Sequence, residues 1–275
     1  MAARARHPQP RSVVALVNWR HPGRGGAALY AVAALVASAV VTVFARLRLA
    51  KRRGRRRAGA ELPAGAIIVI SNHASYADGV LLALVCRRLG RSLRLLASSG
   101  VFRAPLLGSL VTRLGFIPVD RGSATAADAL IPALEALAAG EAVGIFPEGR
   151  TTRDPRQWPE RAKTGAVRLA LLSGAPIVPI AMVGTHRVLG RSHPLRSVLT
   201  NLILRPRVLV HVGDPIRVER PVGSTDPTPV ELRALADDVM AQLISHVAAL
   251  RTEDAPNPTG IQPTPDDPAA PPSRW

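Results

Sequence analysis

His73 and Asp78 stand five residues apart in Asn72-His73-Ala74-Ser75-Tyr76-Ala77-Asp78, directly after the apolar run from Ala66 to Ile70. An imidazole takes up and releases protons near neutral pH, and a carboxylate beside it fixes its tautomer and direction. The pair is the base and orienter of a hydrolytic triad without the protein nucleophile. The chemistry it suggests is therefore activation of a hydroxyl that belongs to the substrate. Ser75 to Asp78 also has the spacing of a helix capping box, with Asp78 in the glutamate's place, and this structural reading stands beside the catalytic one.

Two further motifs lie in or just after apolar segments: Gly115-Phe116-Ile117-Pro118-Val119-Asp120-Arg121 and Phe146-Pro147-Glu148-Gly149-Arg150-Thr151-Thr152. Arg121 and Arg150 offer planar, permanently charged forks suited to a phosphate, although Arg121 could equally pair with Asp120 at the surface. Pro147 and Gly149 serve a turn equally well. Glu148, set near arginines, could orient them or accept a substrate hydroxyl. Lys163 stands at the start of a predicted helix, where amine and dipole both favour an anion, and its plainer reading is a solvated lysine.

The elements that must position these groups follow from periodicity. Ala66 to Ile70 reads as a strand and Gly79 to Leu89 as a helix, so the histidine and aspartate sit at a strand-to-helix junction. Leu93 to Ala97 is a strand, and Pro105 to Leu114 a helix or an amphipathic piece at a membrane interface. Phe116 to Val119 is a strand, Ala124 to Ala139 a helix, Ala142 to Phe146 a strand, Thr164 to Leu172 a helix and Ile177 to Met182 a strand. Arg207 to Val212 adds a late strand and Pro229 to Leu250 a final helix. Alternating strands and helices predict an α/β fold, with helices flanking a mixed, largely parallel sheet.

Charge is distributed unevenly. The chain has 275 residues and a net charge of +17, yet its first 60 residues hold 13 basic groups and no acidic one, leaving 23 against 19 for the rest. Nucleic-acid binding is disfavoured, because no helix-turn-helix, zinc or RNA-binding signature accompanies the charge and aromatic residues are only 3% of the chain. Between the arginines, Ala27 to Ala45 is uncharged and reaches about 30 Å as a helix, roughly the hydrocarbon thickness of a bilayer. Arg46, Arg48, Lys51, Arg52, Arg53, Arg55, Arg56 and Arg57 form the heavier positive flank, which predicts that the remainder faces the cytoplasm. A cleaved signal peptide is disfavoured by that same flank. The expected organisation is a basic disordered arm at 1–26, a membrane helix with polybasic flank at 27–57, an α/β domain at 58–251 and a proline-rich disordered tail at 252–275.

Cys86, the only cysteine, lies in an apolar helical face and reads as a structural thiol. His7, His21, His186, His193, His211 and His246 show no ligand spacing, so no metal is expected. Neither a Walker nor a dinucleotide glycine pattern occurs, and no bound cofactor is expected.

Taken in order, Asn72-His73 with Asp78, Gly115 to Arg121, Phe146-Pro147-Glu148-Gly149 and Ile177-Val178-Pro179-Ile180 resemble the four blocks of the glycerolipid acyltransferase family, typified by 1-acylglycerol-3-phosphate acyltransferase. The resemblance spans roughly residues 60 to 220. It implies His73 as general base, Asp78 as its orienter, and Asn72, Arg121, Glu148, Gly149 and Arg150 as substrate-binding residues. The fourth block, around Pro179, would lie near the acyl donor or the active-site wall. The implied reaction transfers a fatty acyl group from a thioester on coenzyme A or acyl carrier protein to a lysophospholipid hydroxyl, with membrane lipids as partners. Where the family continues Gly-Thr-Arg-Ser, this chain has Gly149-Arg150-Thr151-Thr152, so Arg150 or Arg153 would supply the contact or the acceptor would differ. Another lysophospholipid, a glycolipid or an acylated amino acid is the alternative acceptor, and a non-catalytic membrane scaffold the alternative role.

Overall fold

The computed structural model describes residues 21–50, 61–119, 130–189, 200–220 and 226–254. A seven-stranded sheet lies at its centre: β1 (Arg46–Leu49), β2 (Ile67–Ser71), β3 (Leu93–Ser98), β4 (Ile117–Val119), β5 (Ala142–Ile145), β6 (Ile177–Val183) and β7 (Arg207–Val212). The spatial order is β1-β7-β6-β2-β5-β3-β4. Neighbours are parallel except β6 and β7, so β1 and β7 run against the other five. The sheet is thus mixed and largely parallel. Around it pack α1 (Gly23–Phe44), α2 (Asp78–Arg88), α3 (Ser99–Arg103), α4 (Leu107–Arg113), α5 (Ile131–Ala138), α6 (Gly165–Ser173), α7 (Thr185–Val188) and α8 (Pro229–Asp254). A short helical turn covers 200–204.

Both faces of the sheet are covered, which explains why β2 reads as an unbroken apolar run instead of an alternating one. Ile67 and Val69 join Leu81, Leu82 and Val85 of α2 on one face, whereas Ile68 and Ile70 join Leu169 of α6 and Leu243 and Val247 of α8 on the other. Each such side chain contributes about 1.5–3 kcal/mol when fully buried.

Helix α1 lies along the α2 face. Its Tyr30 is buried and its hydroxyl accepts a hydrogen bond from the Leu93 N–H at 3.0 Å. The Arg94 guanidinium sits 5.6 Å from that ring and donates to the Leu114 carbonyl at 2.8 Å and to Glu141 at 2.9 Å. The opposite side of α1 presents Val32, Leu35, Val36, Val40 and Val43 to the outside. Among the described residues it is the one helix long and apolar enough to cross a membrane, which supports membrane association of the chain.

Three elements differ from the sequence reading. The stretch expected as a polybasic flank opens with strand β1, paired from Arg46↔Arg207 to Leu49↔Val210, because Arg46 and Arg48 project outward from an edge while Leu47 packs inward. Residues 51–57 of that flank lie outside the described residues. The helix expected from Pro105 to Leu114 is α4, which begins only at Leu107, and α3, which was not expected, precedes it. Ala104, before the proline, is extended at φ −67 and ψ 132, as the ring of Pro105 requires, and Leu106 turns at φ 61. Finally, α8 continues to Asp254, past the predicted start of the tail. The arm up to residue 20, residues 124–129 of the expected fifth helix and the tail from 255 lie outside the described residues.

Candidate active site

β6, β2 and β5 are adjacent and parallel, so whatever follows their C-terminal ends is brought to one place. The first block follows β2, the third follows β5, and the fourth is β6 itself. Topology, more than local sequence, assembles the site.

His73 Nδ1 lies 2.9 Å from Asp78 Oδ2. The same oxygen accepts the backbone N–H groups of Ala74 and Ser75, each at 2.7 Å. The capping and catalytic readings of Asp78 therefore coincide: one carboxylate oxygen closes the turn before α2 and holds the imidazole. The other half of the capping box is absent, since the Ser75 hydroxyl accepts from Ala77 N–H at 3.1 Å and donates to the Leu189 carbonyl at 2.8 Å. Asp78 is fully buried in the first turn of α2, where the helix N-terminus favours a negative charge. With Nδ1–H directed at this carboxylate, Nε2 is left as the proton acceptor of the ring. The imidazole retains 19% of its side-chain exposure and stacks on Phe146, ring centroids 4.2 Å apart.

The third block grips the backbone of His73 from the other side. Glu148 Oε1 accepts the His73 N–H at 2.8 Å and Oε2 accepts the Glu160 N–H at 2.9 Å, while the Thr152 N–H donates to the His73 carbonyl at 2.7 Å. Glu148 is buried, and burial pushes its carboxyl up to about 8 against the opposing pull of the N–H groups of Glu160 and His73. Both of its oxygens are committed to backbone. In this geometry the carboxylate ties the loop of the third block to the backbone of His73.

Other expected site residues are placed as follows. Asn72 is buried, donates to the Met182 carbonyl and accepts the Met182 N–H, both at 2.8 Å. In the structure it extends the β2–β6 pairing by one residue. Arg150 directs Nε and Nη2 at Glu160 Oε2, at 3.0 and 2.6 Å, so its guanidinium is met by a carboxylate of the chain itself. Gly149 adopts φ +71, and a Cβ there would approach the Lys163 side chain at 3.0 Å, which brings that amine beside the third block. Arg121 lies outside the described residues; Val119, which closes β4, ends an edge strand three spacings from β2, about 14 Å. Phe146, Thr152, Glu160 and Met182 were not anticipated as participants. Their roles depend on backbone groups and ring faces, which leave no mark in residue type or spacing.

Cys86 is buried and its thiol is pushed up to about 12 by that burial, in keeping with a structural role. Among the described residues no group of three or more potential ligands could hold a metal ion.

The family model described as Acyltransferase matches residues 54–183. The chain is 32% identical over 123 residues to the chloroplastic 1-acyl-sn-glycerol-3-phosphate acyltransferase BAT2 of Brassica napus, covering 44% of this chain and 34% of that protein. It is 27% identical over 150 residues to the 1-acyl-sn-glycerol-3-phosphate acyltransferase of Borreliella burgdorferi, covering 53% and 54%. For the enzyme of that name from Limnanthes douglasii the identity is 37%, over 43% of this chain and 41% of the relative. The chain thus spans between about a third and about half the length of these curated relatives. The crystal structure of PlsC, the 1-acyl-sn-glycerophosphate acyltransferase of Thermotoga maritima, superimposes with a TM-score of 0.56 at 18% identity over 84% of both chains, which shows the shared fold. The matched stretch opens before β2, closes with β6 and contains the His-Asp pair and the loop that clamps it, so that residues 54–183 carry the match to the acyltransferase family.

Proposed function

We propose that the chain is an O-acyltransferase that moves a fatty acyl group from a thioester to the free hydroxyl of a lysophospholipid, with 1-acylglycerol-3-phosphate as acceptor and phosphatidic acid as product. The observation that carries this reading is an imidazole held at Nδ1 by a buried carboxylate, which leaves Nε2 as the proton acceptor of the ring. Nε2 takes the hydroxyl proton as the oxygen attacks the thioester carbonyl. The resulting tetrahedral centre collapses with cleavage of the carbon–sulfur bond, and the thiolate leaves with the proton returned from His73. No acyl-enzyme forms. Coenzyme A or acyl carrier protein carries the donor group, Arg121 holds the phosphate of the acceptor, and Lys163 beside Gly149 supplies further positive charge.

The excess of arginine and lysine after α1 supports a catalytic domain on the cytoplasmic side. The hold of Glu160 on Arg150, together with the exchanged order of Arg150 and Thr151, favours a second reading in which the acceptor is a different lysolipid. Both are tested by incubating the purified chain with mixed lysolipids and acyl thioesters and identifying the products by mass spectrometry. Phosphatidic acid as the dominant product supports the first reading, another diacyl lipid the second, and no product from any pair overturns both. His73→Ala is expected to lower transfer by about 10²- to 10⁴-fold while the circular dichroism spectrum is unchanged. Full activity in that variant would exclude His73 as the base.

A further inference from the structure

The sheet edge that carries His73 also carries apolar side chains that the chemistry leaves unused. In the turn at 200–204, which precedes β7, Leu202 is 51% exposed, Ile203 85% and Leu204 71%. The turn is firmly tied. Buried Asn201 donates from Nδ2 to the carbonyls of Arg187 at 2.8 Å and Val188 at 2.9 Å, and Arg205 donates to the carbonyl of Thr42 in α1.

Each tie leads somewhere informative. Through α7 the turn reaches Leu189, whose carbonyl accepts the hydroxyl of Ser75, two residues after His73. Through Thr42 it reaches the C-terminal end of α1, where Val40 and Val43 are exposed. The uncovered apolar side of the membrane-length helix therefore continues into 200–204, at the edge where β2, β5 and β6 present the site.

Charge indicates what covers this surface. No Asp or Glu occurs from Arg161 to Gly213, a stretch that includes Arg187, Arg205 and Arg207. Three exposed aliphatic side chains amid purely positive charge match an anionic lipid surface, which accepts apolar groups at its acyl boundary and arginines at its headgroups. A second copy of the chain would set the same positive charges against one another.

We propose that residues 200–204 form a second membrane-contacting element, distinct from α1, which seats Leu202, Ile203 and Leu204 in an anionic bilayer beside the catalytic histidine. The inference deepens the proposed function and rests on it in one respect, that the acceptor is drawn from the bilayer. Its test reads lipid contact and not transfer, so the two can fail separately.

Because Cys86 is buried, a full-length Ile203→Cys chain takes a polarity-sensitive fluorophore at that position alone, and Leu35→Cys labels α1 in the same way. Each is mixed with vesicles of phosphatidylcholine and phosphatidylglycerol with brominated acyl chains. The expected result is blue-shifted, bromine-quenched emission at both positions. Water-like emission at position 203, whatever position 35 shows, overturns the proposal. So does an emission shift that follows protein concentration without vesicles, which would assign the surface to a second copy. In a separate measurement, the double variant Ile203→Asp with Leu204→Asp is expected to keep its circular dichroism spectrum and to partition into these vesicles roughly tenfold more weakly. Unchanged partitioning overturns the proposal as well. Quenching at 203 in a chain that transfers no acyl group would sink the proposed function and leave this inference standing.

Discussion

Replacing Asp78 disturbs three donors at once, since its Oδ2 receives His73 Nδ1 and the N–H groups of Ala74 and Ser75. Asp78→Asn is expected to lower transfer on the order of 10³-fold, because the amide does not reproduce the acceptor that fixes the imidazole tautomer. Steady-state kinetics on acyl thioester and lysolipid check this. Glu148 is expected to behave differently. Burial raises its folded-state pKa from 4.5 to about 8, so the folded protein keeps a proton that the unfolded chain releases at lower pH. The associated stability is fully present below about 4.5 and is lost as pH climbs through about 8. Thermal melts across this window are expected to show a falling melting temperature in the parent chain and a flatter profile in Glu148→Gln, which has no proton to lose. The candidate base and its orienter were legible in the sequence because a side-chain pair leaves a spacing. The partners of Asn72 and Glu148, Met182 and the backbone of His73, were not legible, because strand pairing and loop closure bring them in.

At the scale of elements, the turn between β6 and α7 is held by a residue that tolerates no side chain. Gly184 adopts φ +89, and a Cβ there would collide with the Arg207 carbonyl oxygen at the start of β7. Gly184→Ala is expected to destabilise the chain by about 1–3 kcal/mol or more, read from urea unfolding. Tyr30→Phe removes the hydroxyl that accepts the Leu93 N–H, and a loss of about 1 kcal/mol is expected in the same measurement. Central strands were legible because both faces are covered and their apolar runs are continuous. β1 was not, because Arg46-Leu47-Arg48-Leu49 carries the charges of an edge strand and follows a long apolar helix, so its basic residues read as a flank. α3 was not legible, because five residues are too few to show a helical period.

For the molecule as a whole, the family match ends with β6, yet the fold does not. The matched stretch lacks β1, β7 and α8, and α8 buries Leu243, Val247 and Leu250 on one face of the sheet. It also holds the loop of the third block from behind: the Arg233 guanidinium donates to the Ala162 carbonyl at 2.6 Å, and Arg251 lies 4.2 Å above the ring of buried Trp158. A fragment limited to 54–183 is therefore expected to show no cooperative unfolding and rapid amide exchange, whereas the chain extended through residue 254 unfolds cooperatively. Both are read by hydrogen exchange and circular dichroism. Clusters so distant in sequence could not be assigned from the chain alone, although the apolar face of α8 announced that some surface awaited it.

β1 hangs directly from the apolar helix, and among the described residues its only sheet neighbour is β7, with Arg46 opposite Arg207. At about 5–20 residues per second of synthesis, roughly 10–30 s separate the appearance of these two strands from the ribosome. Under the membrane association proposed for α1, that helix would reach lipid well before its own strand has anything to zip against. Completion of the sheet would then be a late event in a chain already tethered, and the newborn protein would be finished at the bilayer.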